Sequence, residues 1–149
     1  MSLAIPKDHP DHHDAELILR LYELRREPVL RAARDALYTG FTPRRYEDIK
    51  AIAMDREHPL NAPLRQVQTY WEMVYGMAKH GIVHADFLVE NNGEGLILFS
   101  RVEPWLKEIR AELGPGSYVN AEWVATHCEE GKKRFARFKA MAEKARAAK

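Results

Sequence analysis

The chain has 149 residues, a length typical of one domain, and 46% of them are hydrophobic while 30% are charged. That composition belongs to globular proteins and not to disordered ones. The formal net charge of +1 argues against strong attraction of the whole molecule to nucleic acid or to an anionic membrane. A single cysteine, Cys128, cannot form an internal disulfide, which suits a reducing compartment.

The first 13 residues are predicted to form a flexible segment ahead of one helical-bundle domain over residues 14–149. This segment holds three histidines and two prolines, and it lacks the basic start and apolar stretch of a secretory signal peptide. No window approaches the roughly 18 apolar residues that a transmembrane helix needs. We therefore expect a soluble protein of the cytoplasm without a transmembrane segment.

Apolar residues at helical spacing predict a first helix that Asp11 or Asp14 caps and that runs to about Tyr38. Leu17, Leu21 and Leu24 begin the pattern, which continues through the alanines that follow. Pro28 lies inside this stretch and has no backbone N–H, so we expect a kink or a break there.

The second predicted helix opens at Thr42-Pro43, where a capping hydroxyl precedes a proline. It closes at His58-Pro59, because the residue before a proline is pushed out of the helical region. The third predicted helix, over residues 62–80, has the clearest pattern. Its apolar residues repeat at intervals of three and four and form a broad face, which is typical of a central helix.

Beyond the third helix, the pattern predicts a short helix over residues 85–90 and a long one over residues 94–113 with a bend at Pro104. Asn120 then caps another short helix. Gly131 is interpreted as the separator before the last helix, which runs from Lys132 onward.

No segment alternates with a period of two, so no sheet is expected. The predicted fold class is therefore all-α, an irregular bundle of about six to seven helices with mostly antiparallel neighbours.

The seven histidines raise the question of a metal site. His9 and His13, like His80 and His84, are four residues apart, but the first pair lies in the flexible N-terminal stretch and the second runs from a helix end into a loop. Neither pair therefore has the helical arrangement beside a carboxylate that zinc and di-iron sites use. His127 and Cys128 are adjacent and would point about 100° apart on a helix, so they do not form a nucleophile with its base. We expect no metal, no cofactor and no catalytic residue, and hence a non-enzymatic protein.

A charged stripe is predicted along the third and fifth helices, formed by Arg65 and Glu72 on the third and by Glu94 and Arg101 on the fifth. If the two helices face each other, the stripe forms either an ion-pair network that fixes packing or the polar floor of a pocket between them. Gly76, in the middle of the third helix, costs about 1 kcal/mol relative to alanine and indicates close approach of another helix or a ligand. The candidate ligand-binding residues are Arg65, Glu72, Glu94, Arg101, Tyr70 and Trp105.

The last helix is strongly basic. From Gly131 onward the chain has eight lysines or arginines and one acid, Glu143. Such a helix can bind nucleic acid phosphates or anionic lipid; alternatively it is a solvated helix whose cations suit the negative end of its dipole. No aromatic residues interrupt the basic side, so nucleic acid is the less favoured partner. The basic-surface candidates are Lys132, Lys133, Arg134 and Arg137.

Several short motifs between residues 61 and 110 resemble a known group of proteins. They include Tyr70-Trp71-Glu72-Met73 and Pro104-Trp105-Leu106. The group consists of small uncharacterised bacterial helical proteins, classed as a domain of unknown function, and the resemblance covers roughly two thirds of the chain. It implies an all-helical fold and a bacterial cytoplasm, and it implies no activity.

Three functions follow as hypotheses. The first is a non-enzymatic helical module that binds a protein partner or a second copy of itself as a homodimer. The second is a small-molecule-binding bundle, or an enzyme, that uses the charged stripe. The third is an accessory binder of nucleic acid or of an anionic surface through the basic last helix.

Overall fold

In the computed structural model, which describes residues 7–148, these residues form nine α-helices and one 3-10 turn and contain no strand. The all-α class is thus confirmed, whereas the predicted count of six to seven helices is too low. The elements are α1 (His12–Arg25), α2 (Pro28–Gly40), α3 (Tyr46–Ala53), α4 (Asn61–Lys79), α5 (Ala85–Asn91), α6 (Gly95–Val102), the 3-10 turn (Glu103–Trp105), α7 (Leu106–Glu112), α8 (Val119–His127) and α9 (Glu129–Ala147).

Prolines account for the additional helices. Pro28 is the first residue of α2, a position where its missing N–H leaves no hydrogen bond unmade. The Glu27 carboxylate caps α2 by accepting hydrogen bonds from the backbone N–H groups of Val29 (3.0 Å) and Leu30 (2.9 Å). Pro104 lies in the 3-10 turn that separates α6 from α7. The chain therefore breaks between two helices at Pro28, one of the two outcomes predicted there, and the bend predicted at Pro104 is also a full break.

Helix α1 begins inside the segment that was predicted to be flexible. The Asp11 carboxylate accepts hydrogen bonds from the N–H groups of His13 (3.0 Å) and Asp14 (3.1 Å), and the Asp14 carboxylate accepts one from Asp11 N–H (3.1 Å). Asp14 is buried and pairs with Lys7 at 2.9 Å. Residues 7–13 are thus anchored to α1, while residues 1–6 of the predicted segment lie outside the described residues.

Helix α3 is shorter than predicted at both ends. It begins at Tyr46, because the Asp48 carboxylate accepts hydrogen bonds from the N–H groups of Arg44 (2.9 Å) and Arg45 (3.0 Å) and so caps the helix after Pro43. It ends at Ala53, where turns lead into α4. The predicted start at Thr42-Pro43 and end at His58-Pro59 are therefore wrong.

Helix α4 is the central helix, as predicted. It packs against α2, α3, α5, α6 and α8. Its most buried side chains are Val67, Trp71, Val74 and Tyr75, each no more than 2% exposed. Helix α6 lies close to it, since a Cβ atom placed on Gly95 would come within 2.7 Å of the Trp71 and Tyr75 side chains.

Helix α9 packs against α5, α6 and α8. It begins at Glu129 and not at Lys132, because Cys128 alone links it to α8. Gly131 therefore lies in the first turn of α9 and does not separate two helices. The rings of Phe135 in α9 and Phe99 in α6 are 5.1 Å apart between centroids. None of the helices in residues 7–148 is long and apolar enough to cross a membrane.

Candidate functional site

The four charged residues of the predicted stripe do not meet. Arg65 donates to the Asn61 side chain one turn earlier in α4 at 3.0 Å. Glu72 has its partners in α8, whereas Glu94 and Arg101 have theirs in α2 and in the residue that follows it. The expected mutual pairing is therefore wrong, because one side of α4 faces α8 while α6 presents its charges to α2 and the connection after it.

Glu72 caps α8 from the neighbouring helix. Its two carboxylate oxygens accept hydrogen bonds from the backbone N–H groups of Asn120 (3.0 Å) and Ala121 (2.8 Å). These N–H groups stand at the start of α8, where a helix offers no internal acceptor. Burial raises the pKa of Glu72, and the two hydrogen bonds only partly oppose that change. Asn120 was predicted to cap α8, but it lies inside the first turn and is itself held by Glu72.

The mid-helix glycine of α4 has its explanation at the same contact. A Cβ atom on Gly76 would lie 2.8 Å from Nδ2 of Asn120, and that amide nitrogen donates to the Glu72 carbonyl oxygen at 2.9 Å. The predicted close approach is thus confirmed, and the approaching group belongs to α8. This cluster fixes one helix against another.

An ion pair joins α2 to the start of α6. Arg34 donates through Nε and Nη2 to both Glu94 carboxylate oxygens, at 2.7 and 2.8 Å, a strong bidentate arrangement. The Tyr38 hydroxyl donates to the Glu94 carbonyl oxygen at 3.2 Å. Arg34 and Tyr38 were missed in the sequence, where their spacing of four residues on one helix gave the only hint that they act together.

Burial dominates the chemistry of the tyrosines near this pair and of Tyr118 at the start of α8. It raises the pKa values of Tyr38, Tyr70, Tyr75 and Tyr118 above the ordinary 10.0. The buried indole N–H of Trp71 has no hydrogen-bond partner among residues 7–148, although it lies near enough to the Tyr38 hydroxyl to oppose the rise in that pKa. These groups therefore stay neutral and serve as packing.

Alkaline titration tests this burial. At about pH 11 the folded protein should show less phenolate absorbance at 295 nm than the guanidinium-unfolded chain, since tyrosines with raised pKa values keep their protons. As the unfolded chain loses these protons from about pH 10 upward, the free energy of unfolding should fall over the same range. Equal absorbance in both samples, with the helical circular dichroism intact, would contradict the prediction.

Tyr70 and Trp105, predicted as walls of one pocket, lie at different places. The Tyr70 hydroxyl donates to the Leu21 carbonyl oxygen at 2.8 Å, and its ring lines a surface groove. Trp105 lies in the 3-10 turn, and the Arg146 guanidinium stands 5.5 Å from its ring centroid. The predicted ligand-binding set is therefore not one site.

The surface groove that Tyr70 lines runs between the start of α2 and α4, and we call it the α2–α4 groove. It is open and measures about 410 Å³. Two large apolar side chains border it in contact with solvent, Val29 at 59% and Met73 at 47% exposed. The complete lining is Glu27, Val29, Leu30, Gln66, Thr69, Tyr70 and Met73.

Arg101 reaches the end of α2. Its Nη1 donates to the carbonyl oxygens of Tyr38 (3.0 Å) and Phe41 (2.8 Å), and its guanidinium lies 5.6 Å from the Tyr38 ring centroid. Burial lowers the pKa of Arg101, but an arginine stays charged throughout the physiological range. Of the predicted ligand-binding residues, Arg101 is the one that lines a partly enclosed pocket.

The basic-surface candidates at the start of α9 are largely paired. The two glutamates that open the helix form ion pairs with Lys132, Lys133 and Arg134 at 3.3 to 3.6 Å. Arg137 places its guanidinium 5.0 Å from the Phe138 ring centroid. Two glutamates thus offset part of the positive charge of these three side chains. The surface at the start of α9 is therefore less basic than the sequence indicated.

Cys128 is buried, as predicted. Its thiol donates to the Val124 carbonyl oxygen at 3.4 Å, and burial raises its pKa to about 11. A thiol with so high a pKa is a poor nucleophile at neutral pH. Within residues 7–148, no group of three or more histidine, cysteine, aspartate and glutamate side chains is placed to hold a metal ion.

A family model described as Domain of unknown function (DUF4760) matches residues 10–128. The chain belongs to this family. The match runs from just before α1 to the residue that precedes α9, which confirms the resemblance to an uncharacterised domain family. No curated protein and no solved structure matches the chain significantly.

The DUF4760 match includes the Glu72 cap and the α2–α4 groove, because both lie between α1 and α8. Helix α9 lies beyond the match. The family match therefore does not bear on any site that α9 helps to build.

Proposed function

We propose that this protein is a non-enzymatic protein-interaction module that binds a second copy of itself through the α2–α4 groove. The observation that carries the proposal is the exposure of Val29 and Met73 on the borders of that groove. Exposed apolar surface gains about 25 cal/mol for each Å² removed from water, and apolar patches commonly mark interaction sites.

The two walls of the groove carry different side chains, and this difference suits the binding of a second copy of the chain. In a two-fold dimer the same patch meets itself, so a residue on one wall contacts the other wall of the partner, and the contact occurs twice. This arrangement would set Val29 of one protomer against Met73 of the other. Helix α1 adds further exposed apolar residues nearby in the chain, namely Leu19, Tyr22 and Leu24.

The polar groups of the groove are already engaged, which lowers the cost of dehydrating it. The Glu27 carboxylate caps α2, and the Thr69 hydroxyl donates to the Arg65 carbonyl oxygen at 2.7 Å. Polar groups that keep their hydrogen bonds cost less to bury than groups that lose them. Gln66 is then the one lining side chain whose amide needs a new partner or water.

Light scattering coupled to size exclusion tests the proposal. The wild-type protein should elute as a dimer at high micromolar concentration, and Met73→Lys should be a monomer, because a lysine in the interface would bury an unpaired charge. Met54→Lys is the matched control, since Met54 is 66% exposed and lies outside the groove. A monomeric wild type, or equal effects of the two substitutions, would contradict the proposal.

A bacterial source and a cytoplasmic location belong to the same proposal. The free thiol of Cys128 supports the cytoplasmic location, since a chain without disulfides suits a reducing compartment, while the bacterial source rests on the sequence resemblance alone. Binding of nucleic acid or of an anionic surface through α9 has less support, because glutamates pair with the cations in its first turns. That alternative predicts an affinity that falls steeply as salt is added.

A further inference from the structure

A partly enclosed pocket lies between α6, the second half of α9 and the connection that follows α2, and we call it the α6–α9 pocket. Its volume is about 140 Å³, smaller than the roughly 300 Å³ at which ordinary small-molecule pockets begin. Most of its wall is apolar. Its apolar side chains include Ile97, Phe138, Met141 and Ala145.

The charges of this pocket all have one sign. Two guanidinium groups, those of Arg101 and Arg146, line it, and no carboxylate of residues 7–148 does so. Arg101 uses only Nη1 for its two carbonyl partners, so its Nε and Nη2 make no hydrogen bond within the described part of the chain. Arg146 lies over the Trp105 ring and has no acidic partner in the same residues.

A half-buried guanidinium with no anion beside it has lost hydration that no opposite charge replaces. Arg101 has lost part of its hydration to the surrounding helices, and its carbonyl partners on α2 carry only partial charges. A planar carboxylate can accept two parallel hydrogen bonds from one guanidinium. Because the pocket wall is apolar, such a pair would be screened less than one on the open surface.

We propose that the α6–α9 pocket binds a small organic acid, a monocarboxylate with a short apolar body such as one aromatic ring or a chain of a few carbons. The carboxylate pairs with Nε and Nη2 of Arg101, and Arg146 adds a second positive charge at the pocket. The apolar body packs against Ile97, Phe138 and Met141. This site is separate from the α2–α4 groove, so the two proposals stand or fall independently.

Calorimetric titration of the full chain with benzoate, benzamide and inorganic phosphate tests the chemistry. Benzoate should bind saturably. Benzamide, which has the same shape and no charge, should bind at least about tenfold more weakly, since it forfeits a charge-assisted pair. Phosphate should also bind more weakly, because it cannot use the apolar wall. Equal affinity of benzamide and benzoate, or of phosphate and benzoate, would overturn the proposal.

Two substitutions test whether benzoate binds in the α6–α9 pocket. Ala145→Phe should fill the pocket and abolish benzoate binding, while Ala140→Phe should leave it unchanged, because Ala140 is exposed on α9 and does not line the pocket. Arg101→Met should also abolish binding, but it removes the hydrogen bonds to the end of α2 and can weaken folding. The proposal therefore rests on the alanine pair: benzoate binding that survives Ala145→Phe in a folded protein would refute it.

Discussion

Gly131→Ala should lower the free energy of unfolding by about 3 kcal/mol or more, at the upper end of what overpacking costs. A Cβ atom at this position would overlap both the oxygen and the carbon of the Val124 carbonyl, the carbon at 2.8 Å, and it would also lie only 2.8 Å from Sγ of Cys128. The oxygen belongs to the backbone of α8 and cannot rotate away. Urea unfolding followed by circular dichroism measures the loss.

Gly116→Ala is the matched control. A Cβ atom on Gly116 meets nothing within 4 Å, so the same substitution there should change the free energy of unfolding by less than about 0.5 kcal/mol. If the two variants were equally stable, the tight corner between α8 and α9 would not exist as described. If Gly131→Ala proved insoluble, its thermal unfolding as a fusion to a stable carrier protein would supply the comparison.

Gly131 also shows where sequence reasoning fails in physical terms. A glycine after a run of polar residues ordinarily marks the end of a helix, and the residue was interpreted in that way. In the fold it lies within a first turn, and its lack of a side chain serves the close passage of α8. Which backbone approaches a glycine depends on long-range packing, and no local pattern encodes it.

The helices themselves were more predictable, because their signals are local. The 3-4 spacing of apolar residues in α4 placed that helix at the centre, and its burial confirms the assignment. Pro28 and Pro104 marked the places where long patterns break. The start of α3 was misplaced, since Asp48 provides the cap and Thr42 does not. When two capping signals lie a few residues apart, the sequence alone does not show which one begins the helix.

The partners of charged side chains could not be predicted. Glu72, Glu94 and Arg101 were predicted to pair with one another or to line a pocket between the third and fifth helices, yet each has hydrogen-bond partners that the sequence did not place beside it. Arg101 lines a pocket whose opposite wall comes from α9, more than thirty residues further along the chain. Periodicity shows which face of a helix is buried, but it does not show which helix covers that face.

Glu72→Ala should lower the free energy of unfolding by about 2 kcal/mol, because two N–H groups at the start of α8 lose a charged acceptor. Glu72→Gln should cost much less, since its amide keeps one acceptor oxygen and places no charge in a half-buried position. Glu143→Ala provides the control: Glu143 is exposed on α9, and no ion pair joins it to residues 7–148. Urea unfolding distinguishes the three variants, and equal losses at positions 72 and 143 would contradict the capping role.

The pH dependence of the free energy of unfolding distinguishes the effect of burial at Glu72 from the effect of its hydrogen bonds. Since its pKa is raised in the folded state from the ordinary 4.5, the folded protein holds this proton at pH values where the unfolded chain has released it. The contribution of the group to stability is therefore complete below that ordinary value and falls as pH rises through the folded pKa. The advantage of wild type over Glu72→Gln should accordingly be larger at about pH 4 than at about pH 7. An advantage that instead grew with pH would mean that the hydrogen bonds from Asn120 and Ala121 outweigh the loss of hydration.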